Sequence, residues 1–227
     1  FSIKTACHTV HCDTGEKGVR TARFLLYTLR PWLLILPISV TSAILLLPRL
    51  AGGTDGPVAA LCNALPSFGL LFLLMQGVNL AISALPLALS LGGRRRDLLL
   101  GVQLCALLGA GAAVLPWLLP LPAPETIPNS LWPRGLLPLV LYFGLALLAV
   151  LLGCLSGLWM RRSRLSGGLL YSAGLLLLIL LWPACRLILA SPAVWGDLPL
   201  LLLLSLPVSA ALLEFPLFRA LARLSVR

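Results

Sequence analysis

Apolar runs long enough to cross a lipid bilayer dominate this sequence and constrain its fold more than any other feature. Residues 98–119 and 136–160, for example, contain no charged side chain. A helix needs about 20 predominantly apolar residues to span the hydrocarbon core of a membrane. Of the 227 residues, 59% are hydrophobic and only 11% are charged, whereas soluble domains carry about 25% charged residues. We therefore expect an integral membrane protein.

The composition of these runs favours helices as the spanning elements. Leucine is frequent and β-branched residues are few, which favours helix, and the runs do not alternate as in a transmembrane barrel. The expected fold class is an all-α polytopic membrane protein with about six transmembrane helices, which form one domain over residues 20–227. The spans are expected at about 32–48, within 58–91, and at 98–119, 136–159, 168–189 and 199–217.

The polar tail at residues 1–19 contains the only two histidines, His8 and His11, next to Cys7 and Cys12. Nitrogen and sulfur ligands suit Zn²⁺, but structural zinc sites usually place paired ligands about two to four residues apart and add a second pair from a distant segment. This tail lacks a second arm. We interpret it as a disordered tail, or as residues foreign to the mature protein, and expect no metal site.

Residues 17–30 combine basic and apolar side chains immediately before the first expected span. This pattern predicts a basic amphipathic segment that lies in the membrane interface. The alternative is a cytoplasmic extension of the first span. The basic residues are Lys17, Arg20, Arg23 and Arg30, and the apolar face would contain Val19, Phe24, Leu25 and Leu29.

Three consecutive arginines, Arg94, Arg95 and Arg96, separate the second and third apolar runs. Each charge in hydrocarbon would cost about 2.5–3.5 kcal/mol, so this turn must lie at a membrane surface. Alternate crossing of the membrane would place 14 of the 17 Lys and Arg residues on the same side. The positive-inside rule then predicts that both termini are cytoplasmic. Topology and contact with anionic headgroups therefore account for the net charge of +10, and no nucleic-acid partner is expected.

The apolar runs contain few groups that could support catalysis. Ser156 has no histidine in the spans to act as its base. Glu214, near the cytoplasmic end of the last span, is the only acid within the expected spans, which argues against metal-dependent hydrolysis and a proton relay. The chain also lacks a GxxxxGK[ST] phosphate-binding loop. These features favour a permease, a pore or a scaffold over an enzyme.

Two amides and several small residues indicate how the spans could pack. Gln76 and Asn79 are three residues apart and share a helix face; they could line a substrate path, but hydrogen bonding between helices is the commoner use. Gly109 and Ala113 have the spacing of a close helix contact, and residues 153–157 (Gly-Cys-Leu-Ser-Gly) form another small-residue face.

The turn after the second span resembles that of small six-span permease subunits of bacterial ABC transporters, related to the type-2 exporter class. In those subunits a serine, an aromatic or apolar residue and a glycine end the second span. Basic residues follow, and then an apolar triplet and a glycine that opens the third span. Leu91 stands here in place of the more usual aromatic residue, and Arg94 in place of a small polar one. The matching residues are Ser90, Leu91, Gly92, Arg95, Arg96, Asp97, Leu98, Leu99, Leu100 and Gly101.

A weaker match to the same class lies at the turn after the fourth span, where glycines alternate with a second group of arginines. The basic segment at residues 17–30 also fits the interfacial helix of that class. The matching residues of the turn are Gly153, Gly157, Arg161, Arg162, Gly167 and Gly168, and Arg164 completes the second cytoplasmic turn.

The resemblance implies a permease subunit in the bacterial cytoplasmic membrane, with ATP bound by a partner subunit and no cofactor bound by this chain. The permease would pair with itself or with a second permease. The cytoplasmic turn would contact the ATP-binding subunit and transmit its closure to the spans, or alternatively would only set topology. A scaffold or assembly protein of the same topology is the closest alternative, and an ion-coupled carrier is disfavoured because midplane charges are lacking. The candidate coupling residues are Ser90, Gly92, Arg94, Arg95, Arg96, Asp97 and Gly101.

Overall fold

A computed structural model describes residues 34–43, 46, 57–90, 95–118, 136–190 and 198–222, and every one of these residues except Ser163 is helical. The all-helical expectation is therefore confirmed. The polar tail at residues 1–19, the amphipathic segment at 17–30, Gly92 and Arg94 lie outside the described residues. In chain order the helices are α1 (Leu34–Ala43), α2 (Pro57–Asn79, continuing through a π-helical Leu80–Ala84 into Leu85–Ser90), α3 (Arg95–Leu118), α4 (Leu136–Arg162), α5 (Arg164–Ala190) and α6 (Leu198–Ala222).

Five of these helices, α2 to α6, are long and apolar enough to cross a membrane. They correspond to the second to sixth expected spans, whereas the described part of α1 is shorter. Helix α5 begins at Arg164, about four residues before the expected start of the fifth span, and α6 ends at Ala222, about five residues after the expected end of the sixth. Gly167 and Gly168 continue the helix, since Gly167 packs directly against the backbone of Met160 and is not a break.

The central helix is α4, which packs against α2, α3, α5 and α6. Near its beginning, the ring of Tyr142 contacts Trp117 at the end of α3 and Trp182 in the second half of α5. Near its end, Met160 lies against Gly167 at the beginning of α5. Both α3 and α5 therefore run antiparallel to α4.

The contacts between α2 and α4 advance in the same direction along both helices. The Tyr142 hydroxyl donates a hydrogen bond of 3.1 Å to the Pro66 carbonyl, and Gly157 lies against Val78 and Ala81 further along. Helix α2 is therefore parallel to α4.

Helix α6 is also parallel to α4. Leu206 packs against Gly144 in the first half of α4. Further along α6, Glu214 bonds to Gln103 in the first half of the antiparallel helix α3. The ends of α2, α4 and α6 therefore lie with the beginnings of α3 and α5 at one end of the bundle.

Candidate functional site

The described arginines are concentrated at this end of the bundle, which we call the basic end (residues 90, 95–97, 161–164 and 219). The end of α2 at Ser90 and the turn at Ser163 after α4 are distant in sequence, but the parallel packing of the two helices brings them to the same end. The side chains of Arg161, Arg162, Arg164 and Arg219 are exposed. Such a surface can attract anionic lipid headgroups or an acidic protein surface.

The turn between α4 and α5 contains a single non-helical residue, Ser163. Its amide donates to the Trp159 carbonyl at 2.8 Å, and its own carbonyl accepts from the Gly167 amide at 3.1 Å. The Ser163 hydroxyl oxygen accepts from the Ser166 amide at 3.5 Å, in the manner of a helix N-cap. Because this turn is so short, the two helices approach at Gly167, where a Cβ would meet the Met160 backbone. The second arginine turn is therefore tightly constrained.

The structure describes the residues on both sides of the turn between α2 and α3, up to Ser90 and from Arg95. At the end of α2, the Ser90 hydroxyl donates to the Leu87 carbonyl at 2.7 Å. Asp97 lies in the first turn of α3, where the helix dipole favours a negative charge. Its Oδ2 atom is buried and has no hydrogen-bond partner among the described residues. Gly101 is buried one turn further along α3.

The arginines of this turn are described less fully. Arg95 and Arg96 lie in the first turn of α3, where the structure describes their backbone but not their side chains. Of the candidate coupling residues, Ser90, Arg95, Arg96, Asp97 and Gly101 therefore lie together at the basic end.

A polar contact links α3 to α6 inside the bundle. The Gln103 Nε2 atom donates a hydrogen bond of 3.1 Å to Oε1 of the partly buried Glu214. Gln103 follows Asp97 by six residues, which is about 9 Å along a helix, so the pair lies inside the apolar spans and not at their edge. The sequence pattern located Glu214 but missed Gln103. An amide within an apolar run is the signal that could have identified it.

Close packing joins α2 to α4 along a line of glycines. A Cβ on Gly77 would lie 2.8 Å from the Cys154 amide nitrogen, and one on Gly157 would lie 2.8 Å from the Ala81 Cβ. Gly153 opposes Gly77 directly, with Leu74 beside it. The prediction that residues 153–157 form a close-packing face is therefore confirmed. We call this contact the glycine seam (Gly77, Gly153 and Gly157).

Within this seam Ser156 is buried, and its hydroxyl donates to the Gly153 carbonyl at 2.9 Å. This bond satisfies the hydroxyl within its own helix, as expected for a packing residue.

The structure separates the two amides that the sequence grouped as a weak substrate path. Gln76 is buried with 7% of its surface accessible, whereas Asn79 is exposed and its Oδ1 accepts a hydrogen bond of 3.0 Å from the Ser83 hydroxyl. Three residues turn a helix by about 300°, and the edge of the buried face of α2 falls between them. The two amides therefore face different surroundings.

No metal site is indicated in the part of the chain that the structure describes, because no group of three or more His, Cys, Asp or Glu side chains could hold an ion. Cys105, Cys154 and Cys185 are buried free thiols. The sequence matches no protein-family model, and no curated protein or solved structure matches it either. Any function must therefore be argued from the turn motif and the geometry of the bundle.

Proposed function

We propose that this chain is the permease subunit of a bacterial ABC-type exporter, whose separate ATP-binding subunits dock on the basic end. The observation that supports this most directly is the convergence of the two arginine turns on one end of the bundle. A permease without its own nucleotide site must receive force through its cytoplasmic surface. Two turns at one end provide a surface on which one partner can act on α2, α3, α4 and α5 together.

The same proposal fixes the orientation in the bacterial cytoplasmic membrane. Because 14 of the 17 Lys and Arg residues belong to segments assigned to this side, the positive-inside rule makes the basic end cytoplasmic. Both termini are then cytoplasmic as well. Anionic headgroups of the inner leaflet add to the attraction between this surface and the membrane.

The packing suggests which parts move and which stay together. The glycine seam holds α2 and α4 at backbone distance, and the one-residue turn at Ser163 joins α4 tightly to α5. Helix α3 follows the arginine turn directly and bonds to α6 through Gln103 and Glu214. A displaced turn would therefore shift α3 against the unit formed by α2, α4 and α5, and the bond between Gln103 and Glu214 would pass part of that shift to α6. Such sliding of packed helices is a known route to alternating exposure of a path.

Isolation from native membranes tests this proposal. An ATPase that carries a Walker-A motif should copurify with the chain after mild crosslinking, and ATP should alter the yield of the crosslinked complex. Absence of any such ATPase would remove the motor and favour the scaffold alternative, which has the same topology but needs no nucleotide partner. A variant with Arg134→Glu, on the opposite side by the charge pattern, serves as the matched control for charge-reversal variants of the basic end.

A further inference from the structure

Helix α2 has a second face, away from the glycine seam, that carries exposed side chains at regular spacing. Phe68, Met75 and Ile82 follow one another at intervals of seven residues and are 55%, 62% and 45% exposed. Asn79 lies four residues after Met75 and is also exposed. Positions four and seven residues apart form the a/d seam of paired helices. We call these four residues the Asn79 face.

A polar side chain in the middle of this face is unusual, because it lies near the centre of the span Ala64–Ser90. The Ser83 hydroxyl has one hydrogen to donate and lies within hydrogen-bond distance of both the Asn79 carbonyl oxygen and the Asn79 Oδ1 atom. Among the described residues, no acceptor is found for the Asn79 NH₂ group. Hydrocarbon offers no acceptor for such a donor, so an unsatisfied amide is unfavourable there. The π-helical segment Leu80–Ala84 begins directly after Asn79, and π-helical turns are frequent at functional positions.

The exposed leucines of α5 and α6 make no comparable demand. Leu176 on α5 and Leu212 on α6 are 60% and 69% exposed, and lipid tails satisfy leucine as well as another protein would. The Asn79 face differs because it combines exposure, depth and an unmet hydrogen-bond donor. It therefore requires a polar partner in the membrane.

We propose that the Asn79 face pairs with the same face of a second copy of this chain, and that the two Asn79 amides hydrogen-bond to each other. Copies in one membrane share an orientation, so a twofold axis along the membrane normal brings residues of equal depth together. Asn79 then meets Asn79. A carboxamide carries both a donor and an acceptor and is therefore complementary to itself, and a single asparagine in a helix seam specifies register and a paired state.

This pairing rests on the proposed function only in that exporter permeases act in pairs, and its test requires no ATPase. Met75→Cys and Ile82→Cys, each in a variant whose six native cysteines are replaced by alanine, are oxidised in native membranes. Two differently tagged copies of the chain are coexpressed, so that a disulfide-linked dimer carries both tags. Leu176→Cys, equally exposed on α5, is the matched control.

The expected result is a two-tag dimer from Met75→Cys and Ile82→Cys and none from Leu176→Cys. Disulfide linkage to a different protein, or a chain that stays monomeric, would overturn the proposal. A dimer formed equally well by the control would also overturn it, because the contact would then not be specific to this face.

The role of the Asn79 amide is tested by measuring the dissociation constant of the dimer in detergent, from energy transfer between labelled copies of the chain. Asn79→Leu is expected to raise the dissociation constant about tenfold, as for loss of a hydrogen bond between membrane helices, and Asn79→Gln to change it by less than about threefold. Ser83→Ala, which leaves the amide in place, is the control. An unchanged dissociation constant in Asn79→Leu refutes the amide pairing, and ATPase copurification from the same cells shows separately whether the exporter proposal stands.

Discussion

The Cα atom of Gly77 lies 3.0 Å from the point that a Cβ on Gly153 would occupy. The backbones of α2 and α4 therefore touch without intervening side chains, which is how van der Waals packing stabilises helix pairs in lipid. The seam also aligns the ends of the two helices, so that the basic end depends on it.

Replacement of either glycine should weaken the bundle. Gly77→Ala or Gly153→Ala places a methyl group against backbone atoms that cannot move aside, and overpacking of this kind costs about 1–3 kcal/mol. The measurement is the midpoint of unfolding in mixed micelles as the fraction of denaturing detergent rises. Gly111→Ala and Gly168→Ala are the controls, since a Cβ at either site would have nothing within 4 Å. Equal midpoints for seam and control variants would contradict the prediction.

The bond between Gln103 and Glu214 should couple α3 to α6 energetically. Gln103→Leu leaves the Glu214 carboxylate without its described partner. The double variant Gln103→Leu with Glu214→Leu should therefore lose less stability than the sum of the losses in the two single variants. Coupling between polar side chains of membrane helices averages about 0.6 kcal/mol and reaches about 1.7 kcal/mol. A double-mutant cycle on the free energy of unfolding measures it, and strict additivity would contradict the link.

Charge reversal at the basic end should release the ATP-binding partner while the fold persists. Arg95→Glu with Arg96→Glu, and separately Arg161→Glu with Arg162→Glu, should each reduce the amount of ATPase that copurifies, because both turns would contact one partner. The reduction should resemble the effect of high salt on the unaltered chain, since salt screens exposed charges. Unchanged copurification in both double variants would show that the turns only set topology.

The orientation can be measured directly by labelling of cysteines. In a variant without native cysteines, Ser163→Cys in the turn between α4 and α5 should react with an impermeant maleimide only after the cytoplasmic face is opened. Ser130→Cys, in the polar segment before α4, should react in intact cells. The reverse pattern would invert the topology and place the basic end outside.

Those features of the fold that depend on local chemistry could be predicted from sequence. The hydrocarbon thickness fixes the length of each run, so the spans corresponding to α2, α3, α4, α5 and α6 fall close to their expected places. The glycine seam was predictable on the α4 side because only small residues permit such close contact. The role of Gly167 could not be predicted, because its close contact with the Met160 backbone is visible only in the structure.

The polar contacts of the candidate site depend on which helices become neighbours. Gln103 and Glu214 are 111 residues apart, and neither residue alone reveals the other. The separation of Gln76 from Asn79 likewise follows from where the buried face of α2 ends. Alternate crossing of the membrane already predicts that α2 and α4 are parallel and that both arginine turns lie on one side. The direct contact of α2 with α4 could not be predicted in this way.

The central position of α4 also has a consequence for biogenesis. Helices α2 and α3 each pack far more extensively on α4 than on each other. Until α4 is synthesised, both helices therefore lack their main packing partner. Helices α5 and α6 also pack chiefly on α4. Synthesis of residues 136–162 therefore supplies the helix on which α2 and α3 can pack, and α5 and α6 can join the same helix afterwards.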